Sequence, residues 1–290
     1  MAFSVNTNAG AMAALQSLNA TNRSMETTQS RITTGLNVAS TKDDSAKYTV
    51  AQTLRGDLGK LNAVTSSLNN AKSVTDVAVA GAEQISDLLN QMKSKTLEAS
   101  DAGLDAESRG AISKDLAALK KQISTVIDGS DFNGVNLLKG TGAATDGNVT
   151  ALQSISTDAA GAPTTLSIAN QGFGTMLDSL TDASITDLAA TDSAAASTSA
   201  NALTVILDGF FDDVKTSLSD LGAGSRQIDG QLAFNSNLTD VVTSGIGNLV
   251  DADLAKESAN LQALQVQQQL GVQALSIANQ APQTLLSLFR

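Results

Sequence analysis

Between Leu61 and Ala99 the chain carries an apolar and small-residue seam that leaves little choice of fold. Leu61, Val64, Leu68, Ala71, Thr75, Ala78, Ala82, Ile85, Leu89, Met92, Thr96 and Ala99 alternate steps of three and four without a slip. No proline interrupts the run, and Gly81 is the one glycine inside it. That periodicity belongs to one face of a helix, and at about 1.5 Å per residue it predicts a rod of roughly 58 Å. Small residues at many seam positions let helix axes approach closely, which favours a multi-helix bundle over a bulky leucine dimer. The bundle partners are visible on either side. Asp105 reads as the N-cap of a further helix with Ile112, Leu116, Leu119, Ile123 and Val126 on one face, ending at Gly129. A last long helix begins near Asn201 and uses Leu203, Leu207, Phe210, Val214, Leu218, Leu221, Ile228, Leu232, Val242, Ile246 and Leu249 as its seam.

The two ends are different in kind. Leu15, Leu18, Asn22, Met25, Gln29, Ile32 and Leu36 form a heptad seam in an opening whose first 22 residues contain no charge. Gly35 is read as the cap of that helix, and the polar stretch Thr41–Ala46 as a break. At the other end, Leu261, Leu264, Gln268, Val272 and Leu275 fall on one side of a helical wheel. Val266, Leu270 and Ile277 fall about 140 to 180° away, and no charged residue lies between Gln262 and Gln283. An ordinary surface helix turns Lys and Glu to water, so a helix apolar on two sides is built to be surrounded. The helix is expected to stop before Pro282, leaving an apolar tail of Leu285, Leu286, Leu288 and Phe289.

The centre, 141–196, is rich in Gly, Ala, Ser, Thr and Asp and loses helical periodicity. Alternation around Thr164, Leu166 and Ile168 predicts a small β-hairpin near Val149–Ile168, followed by a loop or short helix around Ser179–Leu188. Ser193–Ser199 reads as a low-complexity lead into the next helix.

Composition narrows the function classes. The 290 residues include no His and no Cys, which excludes Cys- or His-ligated zinc, thiol nucleophiles and Ser-His-Asp triads. The paired carboxylates Asp43 with Asp44, and Asp212 with Asp213, read as cap and surface charges, so no catalytic, metal or cofactor residue is assigned. A net charge of -11 offers no basic stripe to nucleic acid, and no apolar run approaches ~18 residues, so membrane insertion is not expected. The N-terminus lacks the basic and apolar regions of a cleaved signal peptide.

The run VDADLAKESANLQALQVQQQL (Val250–Leu270) and the closing ANQAPQTLLSLFR (Ala278–Arg290) resemble the C-terminal end of bacterial flagellin. TTGLNVASTKDDSA (Thr33–Ala46) and DFNGVNLL (Asp131–Leu138) are similar to flagellin motifs in the same order. The resemblance covers roughly 1–140 and 197–290. It implies a mainly α fold, long antiparallel heptad helices folded back as a hairpin. Residues 1–40 with 254–290 would form a terminal coiled coil (D0) in the inner filament layer, 41–140 with 197–253 a helical rod (D1), and 141–196 a short outward-facing variable region.

The function implied is that of a secreted structural subunit polymerising into the extracellular flagellar filament for motility, with terminal helices that order on assembly. Leu15, Leu18, Met25, Ile32, Leu36, Leu261, Leu264, Val266, Leu270, Val272, Leu275, Ile277 and the apolar tail would form the polymerisation interface, and Leu61, Leu68, Ile85, Leu89, Met92, Ile112, Leu116, Leu119, Ile123, Leu221, Ile228 and Leu232 would pack the rod. Implied partners are copies of the chain, other flagellins, hook-associated and cap proteins, a chaperone on the C-terminal region and the flagellar type III export apparatus. A hook-filament junction protein shares the terminal helices and is the competing reading. Two departures from the family pattern stand out. A usual Asn-Arg pair is replaced at Arg226 and Gln227, and the patch recognised by the animal Toll-like flagellin receptor reads Gln91, Ser94 and Lys95. Weak or absent receptor activation is the expectation.

Overall fold

The computed structural model describes residues 7–140, 147–157, 162–190 and 192–288, with 157 and 281–288 as backbone alone. The helices are α1 (Ala9–Thr34), α2 (Ser45–Ala99), α3 (Ala106–Gly129), α4 (Phe173–Ser179), α5 (Asp182–Thr186), α6 (Ser193–Val250) and α7 (Leu254–Leu288). Four strands, β1 (Asp131–Phe132), β2 (Val135–Asn136), β3 (Val149–Thr157) and β4 (Pro163–Ile168), form two antiparallel pairs. Two compact units divide the chain: Met1–Leu58 with Asp240–Arg290, and Gly59–Thr239.

In the unit 59–239 the seam of α2 does what its spacing dictates. All twelve positions from Leu61 to Ala99 are buried. The facing side of α6 buries Leu203, Leu207, Phe210, Val214, Leu221 and Ile228, and α3 buries Ile112, Leu116 and Ile123. Asp105 caps α3 by accepting from the Ser108 N–H at 2.9 Å. Gly81 is required here: a Cβ at that position would sit 2.2 Å from Ser130 Oγ and 2.9 Å from Leu138 Cδ1. Asn133 (φ 55°) and Gly134 (φ 79°) turn the chain between β1 and β2, whose register pairs Phe132 with Val135.

The β3–β4 hairpin spans the expected segment and is tied to the helices. The Leu152 N–H donates to Ser67 Oγ of α2 at 3.0 Å, and Gln231 Nε2 of α6 donates to the Gln153 carbonyl at 2.7 Å. Phe173 at the start of α4 meets Phe210 edge to face, ring centroids 5.9 Å apart. The stretch expected as a lead, Ser193–Ser199, is instead the first turns of α6, with Ala196 and Ala200 buried. Alanine is the strongest helix former, and its small side chain suits a close seam, so low complexity here signals helix.

In the unit 1–58 with 240–290, Val38, Ala51, Ile246 and Val250 form a small core bordered by Leu36, Tyr48, Leu54, Leu58, Val242 and Leu249. The two helix breaks zip together above it. The Asn37 N–H donates to Val250 O at 2.7 Å and the Ala252 N–H to Gly35 O at 2.8 Å, around an antiparallel bridge of Leu36 with Asp251. Gly35 takes the left-handed conformation (φ 72°) and donates back to Arg31 O, ending α1 as its sequence predicts.

A further expectation is overturned: α7 does not stop before Pro282 but continues to Leu288. Proline cannot supply the N–H that the Ala278 carbonyl would receive in a helix. That carbonyl accepts a bond from outside the helix instead, from Asn8 Nδ2 at 2.7 Å.

Candidate assembly interface

α1 and α7 lie against each other, and their shared seam is not the one that the largest apolar residues suggest. Along α1 the positions that are not exposed are Ala11, Ala14, Leu18, Thr21, Asn22, Met25, Thr28, Arg31 and Ile32. Leu18, Met25 and Ile32 are on the expected seam, but its alternate positions are shifted by one. Ala14, Thr21 and Thr28 face the partner helix, while Leu15 and Gln29 are exposed. Asn22, at the margin, accepts from Gln268 Nε2 at 2.9 Å. Along α7 the seam runs Glu257, Leu261, Leu264, Gln268, Gly271, Leu275 and Ala278. Gly271 therefore takes the place expected for Val272, which is exposed. A Cβ on Gly271 would approach Leu18 Cδ1 to 3.3 Å, so the helices touch where side chains are smallest.

The burial achieved by this pair is unusual in quality. Thr28 is the one buried residue of α1, and Glu257 the one buried residue among the described side chains of α7. Among the described side chains, neither helix buries a large apolar one. Val266 (56% exposed), Leu270 (58%) and Ile277 (69%) form a stripe on the side of α7 away from α1, and Met12 and Leu15 are exposed on α1. Leu36 is half-buried against the small core below Gly35. Leu285, Leu286 and Leu288 are described as backbone alone, and Phe289 lies outside the described residues.

Polar groups set the ends of the pair. Arg31 Nη1 stands 3.4 Å from Glu257 Oε1, while Glu257 Oε2 and Arg31 Nε are buried without a hydrogen-bond partner. Asp253 caps α7 by accepting from the Ala255 and Lys256 N–H groups, and Asp44 accepts from the Lys47 N–H at the start of α2. Asp43 Oδ2 gathers the N–H groups of Ala39 and Ser40 and the Ser40 hydroxyl. The Ser40 bonds, backbone first, hold its carboxyl below the ordinary value of 3.8. Asp43 and Asp44 thus organise the break between α1 and α2.

The expected rod residues lie together in the core of the 59–239 unit, where Leu61, Leu68, Ile85, Leu89, Met92, Ile112, Leu116, Ile123, Leu221 and Ile228 are buried and Leu119 and Leu232 half-buried. Sequence reasoning passed over Asn235, which is 2% exposed. Its Nδ2 donates to Leu61 O at 2.9 Å and also to Thr65 Oγ1. The signal for it was present: the α6 seam, read from apolar residues alone, has a gap between Leu232 and Val242 that a buried Asn fills. Gln91 and Ser94 are exposed on α2, while Lys95 is half-buried, its Nζ 3.5 Å from both Glu98 Oε2 and Asp115 Oδ2. Among the described residues there is no cluster of three or more metal-ligating side chains, and no helix is long and apolar enough to cross a membrane.

Comparison with known proteins gives this geometry a context. Residues 5–143 match the family described as the bacterial flagellin N-terminal helical region, and 204–289 the bacterial flagellin C-terminal helical region. Flagellin FljK of Caulobacter vibrioides is 42% identical over 289 residues, covering 99% of this chain and 98% of that protein. A flagellin of Brucella melitensis is 37% identical over 295 residues, covering 99% of each. Among solved structures, a putative flagellar hook-associated protein from Vibrio parahaemolyticus aligns with a TM-score of 0.55 at 15% identity, covering 72% of this chain and all of that one, a likeness of fold.

Proposed function

The chain belongs to the bacterial flagellin family and is a structural subunit of the extracellular flagellar filament; on that premise we propose that subunits join through α1 and α7, whose order is completed by neighbouring copies. The observation that carries this reading is that, among its described side chains, the pair buries only Thr28 and Glu257 while Val266, Leu270 and Ile277 stand in water. Two helices of 26 and 35 residues immobilise much backbone, at about 1–2 kcal/mol per residue, and aliphatic burial is the term that offsets it. A lone subunit has little of that burial on these helices. Copies seated on the exposed stripe would supply it, and a head-to-tail contact that does not close on itself propagates as a helical filament.

In this reading 1–40 with 254–290 form the inner layer, 41–140 with 197–253 the rod, and 141–196 the outward region. The apolar C-terminal stretch is a surface for an export chaperone before passage through the flagellar export apparatus, and the chain performs no catalysis. The identity of more than a third to flagellins over both full lengths favours the filament subunit over a junction protein. The test is a truncation lacking Leu254–Arg290, which is expected not to polymerise onto filament seeds; normal filaments from it would refute the reading.

Gln91 and Ser94 in place of the family's receptor-binding residues, and Lys95 engaged by two carboxylates, support a weak response from the animal flagellin receptor. A reporter-cell assay with purified monomer is expected to give little signal; a strong response would refute it.

A further inference from the structure

The contact of Asn8 with α7 uses both the donor and the acceptor of one side-chain amide. Asn8 is the N-cap of α1: its Oδ1 accepts from the Ala11 N–H at 3.0 Å. The same side-chain amide points its Nδ2 at the Ala278 carbonyl, 2.7 Å away on the other helix. Gly10 marks how close the backbones come, since a Cβ there would lie 3.9 Å from Ala278 Cβ. One amide thus serves as acceptor at one end and donor at the other. Aspartate has no donor, and serine is too short to reach both groups.

The acceptor is equally particular. In the interior of a helix each carbonyl is bonded by the N–H four residues on, and is a poor target for an outside donor. Ala278 is the exception because the residue four on is Pro282, which has no N–H. Asn22 with Gln268 and Arg31 with Glu257 make further polar contacts along the seam; its apolar part is bland, Ala11, Ala14, Thr21 and Thr28 against Leu261, Leu264, Gly271 and Leu275, and after a slip by a heptad that part would still place small residues against aliphatic ones. Slipped by a heptad towards the start of α7, Asn8 would meet the Gly271 carbonyl, which is already engaged by its own helix.

We propose that Asn8 and Pro282 are a matched pair that fixes the register of α1 on α7, Pro282 by freeing a single carbonyl and Asn8 by reading it, so that every subunit offers the same apolar stripe to its neighbours. Asn8 is a positioning residue, and the proposal rests on the reading that this helix pair is the assembly element. The experiment is a double-mutant cycle in the full chain, read as the critical monomer concentration for growth on seeds. Asn8→Ser keeps the cap and loses the reach, and is expected to raise the critical concentration roughly three- to tenfold. In Pro282→Ala the restored N–H can bond Ala278 O, so adding Asn8→Ser there is expected to cost less than about twofold. An equal rise in both backgrounds, as a simple cap would give, or no rise in either, would overturn the proposal. If the unaltered chain fails to grow on seeds, the functional reading itself falls, and the pair with it. Solid-state NMR of unaltered filaments needs no variant: a through-space transfer from the Asn8 side-chain nitrogen to the Ala278 carbonyl carbon is expected, and its absence would equally overturn the proposal.

Discussion

Gly81 shows how a single position can invert the usual ranking of residues. Alanine is intrinsically better in a helix by up to about 1 kcal/mol. Here its methyl would collide with Ser130 Oγ and Leu138 Cδ1. Ser130 is itself held, donating from Oγ to Val126 O at 2.7 Å, so it cannot swing away freely. Gly81→Ala is expected to lower the stability of the monomer by about 1–3 kcal/mol, read from urea unfolding, and a neutral or stabilising result would contradict the packing described. Asp43 makes a prediction in pH. Because hydrogen bonds from Ser40 and Ala39 lower its folded pKa, its contribution is present in full above the ordinary carboxylate value of 3.8 and is lost as pH falls through the lower folded value. A carbon-13 titration is expected to place the Asp43 midpoint below 3.8, and Asp43→Asn to remove that part of the acid response. A midpoint at or above the ordinary value would contradict it. Asp43 was legible as a cap charge, whereas Gly81 stood out only as the one glycine of the rod, because Ser130 and Leu138, which surround it, come from a later part of the chain.

At the scale of elements, legibility followed side-chain size. The α2 seam was readable throughout because large aliphatic residues recur often enough to fix the phase of the small ones between them. On α1 the same method set half of the heptad correctly and shifted the other half by one, choosing Leu15 over Ala14 and Gln29 over Thr28. The reason is physical: where two helices approach closely the smallest residues face inward, and a reading weighted by hydrophobicity is drawn to the large ones at the margin. Gly271 against Leu18, with Val272 exposed, repeats the lesson on α7. Buried polar residues such as Asn235 and Glu257 carry no apolar signal at all. Pro282 misled for a different reason, since its helix-breaking effect is met by a side chain some 270 positions away. These seams predict opposite responses to substitution. Leu89→Ala, fully buried on α2, is expected to cost the monomer about 2–5 kcal/mol in unfolding. The triple change Val266→Ser, Leu270→Ser and Ile277→Ser is expected to shift monomer unfolding by less than about 0.5 kcal/mol while preventing growth on seeds. A large loss of monomer stability from the triple change would mean that the stripe is already enclosed within one chain.

For the whole molecule, the two compact units differ in what holds them. The unit 59–239 has a core of large aliphatic side chains with Phe173 and Phe210 among them. Among its described side chains, the other unit has four buried apolar residues in the small core beside the helix breaks and a helix pair with two buried polar ones. Resemblance at the chain ends made the function legible early, because the uncharged, two-faced character of those ends is the feature on which the proposed assembly rests; the contact of Asn8 with Ala278 was not legible, because it is a hydrogen bond rather than a pattern. The central claim is that α1 and α7 are incomplete in a single copy. Hydrogen exchange with mass-spectrometric detection, run on purified monomer and on filaments grown from it, tests it most directly. Amides of 9–34 and 254–288 are expected to exchange fast in the monomer and slowly in the filament, while those of α2 between Leu61 and Ala99 stay protected in both. Strong protection of the end helices in the monomer, unchanged on polymerisation, would contradict the claim.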